Sequence, residues 1–203
     1  MKITPITTVL ILVFAGIAAG QEASAQLSKQ QTSADVVPTR SPCLFDFERG
    51  EIPNCVRESA NGDLFIVPEF LKELRFDSHG LAVVRSAREG WMYISRTGKV
   101  LIKGVPVMDN WADSFHDGLV RIIRNGKYGF ANREGQVVIP PIYDGAMNFE
   151  NGHAVVCKGC ESRPADREGE YHLFAGGTWF RINTKGKVLG RVPPPVVAPA
   201  TFR

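Results

Sequence analysis

The chain has 203 residues, enough for one domain with a sizeable core. Its 44% apolar and 22% charged content is that of a globular protein and excludes a disordered or fibrous chain. A formal charge of +3, with no Lys/Arg cluster, excludes a nucleic-acid footprint.

Lys2 supplies a positive n-region, and Ile6 to Ala19 is an apolar run of h-region length. Ala23-Ser24-Ala25 is an A-x-A cleavage site, which predicts a signal peptide over 1–25 and a mature start at Gln26. A retained anchor is the alternative, but the run falls short of the roughly 20 residues a spanning helix needs. The mature chain is therefore expected to carry no membrane span and to reside in the periplasm or outside the cell. Residues 26–42 are polar and read as a flexible linker. Residues 191–203 hold Pro193-Pro194-Pro195 and Pro199 and read as a surface tail. The fold is expected over about 43–190.

All four cysteines, Cys43, Cys55, Cys157 and Cys160, lie in the mature part. An even count in an exported chain points to disulfides. Of the three pairings, Cys43 with Cys55 and Cys157 with Cys160 are favoured as local. The alternative is a four-thiolate zinc site, since Cys157-Lys158-Gly159-Cys160 is one half of a zinc-ribbon spacing. Eleven residues lie between Cys43 and Cys55, where two to four would be usual. A redox Cys-x-x-Cys belongs at a helix N-terminus, and this neighbourhood reads as strand and loop. No metal or cofactor is expected.

Within the fold a phrase recurs. A glycine after a polar turn precedes an apolar triplet at Gly62, Gly98, Gly135 and Gly186. Seven residues before these stand Cys55, Trp91, Tyr128 and Trp179. A second marker, Phe then a short turn then Gly, opens at Phe76, Phe115 and Phe149. In the clearest copy Leu119 to Arg124 predicts a strand, and Asn125-Gly126 a two-residue turn with positive φ at both positions. Lys127 to Ala131 is the return strand. A longer turn ending at Gly135 leads to a third strand, Gln136 to Ile139, which Pro140-Pro141 is expected to end. The best helical candidate is Pro68 to Arg75, at most two turns. These are antiparallel three-stranded meanders in units of about 47–75, 76–113, 115–148 and 149–190. The fold class is all-β, as a small solenoid or a propeller- or barrel-like array.

Gly118-Leu119-Val120, Asn125-Gly126-Lys127-Tyr128-Gly129-Phe130 and Gly135 to Tyr143 together resemble the WG repeat, a short bacterial β-repeat. Tyr128 stands in place of the Trp and Gly129 keeps the Gly. The unit before keeps Trp91 but has Met92 for the Gly, and the last keeps Trp179 followed by Phe180. The resemblance implies an all-β array, often exported, with a role in interaction or ligand binding and no catalytic residues.

Asp109, Asp113, His116 and Asp117 could assemble an acid/base pair or a metal site, and Trp111 lies outside the repeat register beside them. Asp and Asn in such a loop more ordinarily cap turns. Trp91, Tyr128 and Trp179 are expected as a repeated core layer. An insertion of about 15 residues between Cys157 and Trp179 is either a functional loop or a strand excursion pinned by the cysteines. The expected function is a non-catalytic exported binding or scaffolding module, its partner an envelope or secreted protein. The alternatives are glycan or cell-wall binding with Trp111 stacking on a sugar, and a hydrolase using Asp113, His116 and Asp117.

Overall fold

The computed structural model describes residues 41–44, 50–108, 111–164 and 172–195, all within one compact unit, Pro38–Arg203. The expected signal peptide, nearly all of the linker and the end of the Pro-rich tail lie outside the described residues.

Four three-stranded antiparallel meanders follow one another. The first is β1 (Ser41–Leu44), β2 (Glu51–Glu58) and β3 (Leu64–Ile66). The second is β4 (Leu81–Ser86), β5 (Gly90–Ser95) and β6 (Val100–Val105). The third, β9 (Leu119–Arg124), β10 (Lys127–Asn132) and β11 (Val137–Tyr143), is the copy most legible in the sequence. The fourth is β13 (His153–Pro164), β14 (His172–Asn183) and β15 (Val188–Val192). Short strands β7 (Val107–Met108), β8 (Trp111–Ala112) and β12 (Gly145–Ala146) make the connections, β7 pairing with β8 and β12 joining the edge of β13. The helical candidate is a single turn, α1 (Pro68–Leu71), with its proline at the first position, where no N–H is needed.

The first two meanders form one six-stranded sheet, because β1 pairs with β4. An antiparallel bridge between Phe65 and Lys99, and the Ile66 N–H donating to the Gly98 carbonyl at 2.8 Å, bring the far edges together. The sheet thus closes almost into a barrel, which removes its exposed edges. Its interior is filled by Val56, Ile66, Val84, Met92, Ile94 and their neighbours. The third and fourth meanders remain separate sheets.

Pleating distributes the side chains between successive core layers. Ala82 and Val84 enter the barrel, whereas Leu81, Trp91 and Tyr93 join Val120, Ile122 and Ala131 in the layer facing the third meander. From that meander Leu119 and Phe130 turn the other way, to Ala154, Val156 and Ile182 of the fourth. Strands buried on both faces read as near-continuous apolar runs, as Leu119-Val120-Arg121-Ile122-Ile123 does.

One contact repeats at each junction. The turn glycine of a meander packs on the third strand of the meander before it. A Cβ on Gly98 would lie 2.7 Å from the Ile66 carbonyl oxygen, and one on Gly135 2.5 Å from that of Leu101. On Gly186 it would meet Ile139 at 3.3 Å. All three have φ near +80° (83, 83 and 78), so the glycines answer both a left-handed turn and a close approach. A second device recurs twice: Arg96 lies over the Phe76 ring and Arg133 over the Phe115 ring, 5.1 and 4.6 Å from the centroids.

One local expectation is corrected, and one open alternative is decided. β11 does not stop at Pro140-Pro141 but runs on to Tyr143. The ladder jumps from Phe130↔Ile139 to Tyr128↔Tyr143, so the prolines sit in a bulge of an edge strand, where their missing N–H groups cost nothing. The Cys157–Trp179 insertion is mostly strand: it lengthens β13 and β14 to 12 residues each, paired out to Pro164↔His172.

Candidate functional site

The residues singled out between Asp109 and Asp117 do not form one cluster. Asp109 lies outside the described residues. Trp111, on β8, is half-buried, its ring centroid 4.6 Å from that of Trp91. His116 and Asp117 belong to a two-residue turn closed by reciprocal backbone bonds between His116 and Leu119. Asp117 and Gly118 both have positive φ there. Ser114 Oγ lies 3.2 Å from His116 Nε2. The Asp117 carboxylate accepts the Gly152 N–H at 2.6 Å, which ties this turn to its counterpart in the fourth meander.

Asp113 is the exception in depth, with 1% of its surface exposed. Its Oδ2 accepts from Arg121 Nε at 2.8 Å and its Oδ1 from Asn148 Nδ2 at 3.3 Å. Its N–H donates to the Pro106 carbonyl, and its own carbonyl accepts the Tyr93 hydroxyl at 2.8 Å. Arg121 also donates to the Ala146 carbonyl at 2.9 Å. This node binds the second, third and fourth meanders through one buried ion pair. Burial, with the Asp113 and Asp77 carboxylates adding to it, pushes the Tyr93 phenol up to about 12. Arg121, Asn148 and Tyr93 were missed in the sequence. A signal existed for Arg121: a guanidinium amid a buried apolar strand must find a carboxylate.

A smaller node lies nearer the surface. Asp144 accepts from Lys127 and, at 2.7 Å, from the Gly159 N–H. These bonds, led by Lys127, hold its carboxyl below the usual range. Gly159 lies within the Cys157–Cys160 ring. Both expected disulfides are present, Cys43–Cys55 and Cys157–Cys160, with Cα separations of 5.8 and 6.0 Å. Residues three apart on a regular strand face opposite sides. The second bridge therefore needs a break in the pleat, and Gly159 at φ +71° makes it, opposite Gly176 and Gly177. Beyond the bridge, Glu161 to Pro164 and His172 are exposed. The repeat-position side chains each enter a different core layer: Cys55 and Trp91 are buried, Tyr128 half-buried, and Trp179 buried beside the second disulfide.

The model of the family described as WG containing repeat matches residues 128–159. The chain carries a WG repeat. The matched stretch starts at Tyr128-Gly129 and runs through β11 and β12 into β13, so it straddles the third and fourth sheets. The glycine of the WG pair has a geometric reason here. A Cβ on Gly129 would meet Ile139 O, Pro141 N and Pro140 C at 2.5, 2.6 and 2.8 Å, within the β11 bulge. Where Met92 replaces that glycine, the facing strand holds its irregularity at Gly104 instead. Where Phe180 does, Trp179↔Val192 and Phe180↔Arg191 pair without a shift. Comparison with curated proteins and with solved structures found no match.

Among the described residues, no three His, Cys, Asp or Glu side chains come together as a metal site, and no helix is long and apolar enough to cross a membrane.

Proposed function

We propose that the mature chain is an exported, non-catalytic binding module that recognises another protein of the cell envelope or the extracellular space. The observation that carries this reading is the β13–β14 hairpin. Its strands are twice as long as the six-residue strands β4, β5, β9 and β10, it carries a disulfide within β13 at mid-length, and it exposes its outer part. A stiff, exposed hairpin on a repeat scaffold is a recognition element that needs little ordering on binding. Two disulfides suit an oxidising compartment, which supports export and the signal peptide.

The polar groups that could have served catalysis have other work. Both Asp113 oxygens are engaged by Arg121 and Asn148, and the Asp117 carboxylate caps a neighbouring turn. The Trp111 ring packs on Trp91, which gives glycan stacking less support than protein recognition. The test is crosslinking of the exported chain in its native envelope fraction, with a carbohydrate array in parallel. The expected result is one protein crosslinked through the hairpin and no array signal. Array binding lost in Trp111→Ala, with no crosslinked protein, would overturn the reading.

A further inference from the structure

Among the described residues, the fourth meander leaves one edge open. β15 pairs with β14 on one side and is the end strand of its sheet. Val188 and Leu189 are 49% and 47% exposed, and Gly190 and Arg191 beside them are exposed as well. Such an edge presents a row of backbone N–H and C=O groups able to pair with another chain. β11 also shows apolar side chains, Val137, Val138 and Ile142, but Pro140 and Pro141 remove two of its donors. β15 has no proline before Pro193.

Charge tells what the edge would take. Residues 172–195 contain Arg181, Lys185, Lys187 and Arg191 and not one Asp or Glu. None of these four cations forms an ion pair among the described residues. Of the fourteen Lys and Arg described elsewhere, six (Arg88, Lys99, Lys103, Arg121, Lys127 and Arg163) face a carboxylate; what sets this segment apart is that it holds four cations and no acid of its own. Unpaired cations around an apolar edge are complementary to a segment carrying apolar and acidic side chains. They also bar a second copy, because two β15 edges would set four cations against four.

We propose that the edge of β15 captures an extended segment of the partner protein, rich in apolar residues and Asp or Glu, as a fifth strand of the sheet. Backbone pairing supplies the common part of the affinity, and Lys185, Lys187, Arg181 and Arg191 select the acidic sequence. This rests on the reading of the chain as a protein-binding module and assigns it a second contact surface besides the hairpin.

The test uses the full mature chain and three labelled ten-residue peptides. One alternates Val and Glu, one alternates Val and Lys, and one is the Val/Glu peptide N-methylated throughout. Fluorescence anisotropy at low salt should show the Val/Glu peptide bound at least about tenfold more tightly than Val/Lys, with no binding of the methylated form. Lys185→Glu with Lys187→Glu sets two anions against the two remaining cations, so it should abolish the preference and leave the melting curve unchanged, since both side chains are exposed. Equal binding of the acidic and basic peptides by the parent chain overturns the proposal, as does binding that survives methylation or an acidic preference that survives the double substitution. The crosslinking experiment is independent of this one. If the peptide assay fails while a partner is still crosslinked, the β15 assignment falls and the module reading stands. If no partner is captured while the peptides behave as expected, the module reading falls on its own.

Discussion

Gly129 and Asp113 carry the most at the scale of single residues, for opposite reasons. Gly129 matters for the atom it lacks. Gly129→Ala should cost about 1–3 kcal/mol, since its Cβ would press on strand backbone that cannot move aside. Gly135→Ala should cost more, because it adds a strained φ of +83° to a collision with Leu101. Urea titration of the two variants checks both the size and the order. Asp113 matters for the partners it holds. Asp113→Ala strands the Arg121 guanidinium among apolar side chains and should lose about 3–5 kcal/mol. Pairing Asp113→Leu with Arg121→Met should recover most of that loss, because two apolar groups leave no charge unpaired. Tyr93 gives the pH counterpart. Its neutral form is favoured in the fold, so the unfolded chain releases this proton at lower pH than the native one. Stability should hold below pH 10 and fall as the pH rises toward about 12. Absorbance titration of Tyr93→Phe against the parent isolates the effect.

Elements show where the sequence could be read and where it could not. The glycine turns were legible, because Asn125-Gly126 and Gly135 need φ values that few other residues adopt. β9 was read to the residue and β10 to within one. β11 was read short. Proline normally ends a ladder, and the escape through a bulge depends on a glycine in the facing strand, a relation between residues ten apart. The hairpin was open for a similar reason: whether Cys157 to Trp179 forms loop or strand turns on Gly159, Gly176 and Gly177 facing one another. Both disulfides brace the elements that lack the full repeat phrase. On loop-closure entropy the Cys43–Cys55 bridge contributes about 3 kcal/mol and the four-residue Cys157–Cys160 ring about 2. Reductant should therefore lower the melting temperature. Cys43→Ala with Cys55→Ala should lower it more than the other pair of substitutions. An unchanged melting curve in reductant would contradict the assignment of the bridges as braces.

At the scale of the molecule, the repeat phrase announced an all-β array but left its closure open. The phrase records strands and turns, while closure depends on which edges meet. Here β1 meets β4, and Phe65 meets Lys99 across the far edges, joining the first two meanders nearly into a barrel. The later two stay as stacked sheets, locked by the buried Asp113–Arg121 pair and the glycine contacts. Asp113 could not be placed from sequence, because an acid in a polar loop looks the same whether it caps a turn or anchors three sheets. What the scaffold presents at its end is the long β13–β14 hairpin, with its disulfide in β13, and recognition through it is the central claim. The most direct measurement replaces residues 163–173 with an Asn-Gly turn. That keeps Phe174, Gly176, Gly177 and both disulfides, and the crosslinking in the native envelope fraction is then repeated. The account predicts that the partner captured by the parent chain is lost while the melting temperature is kept; capture at the parent's level by the shortened chain would contradict it.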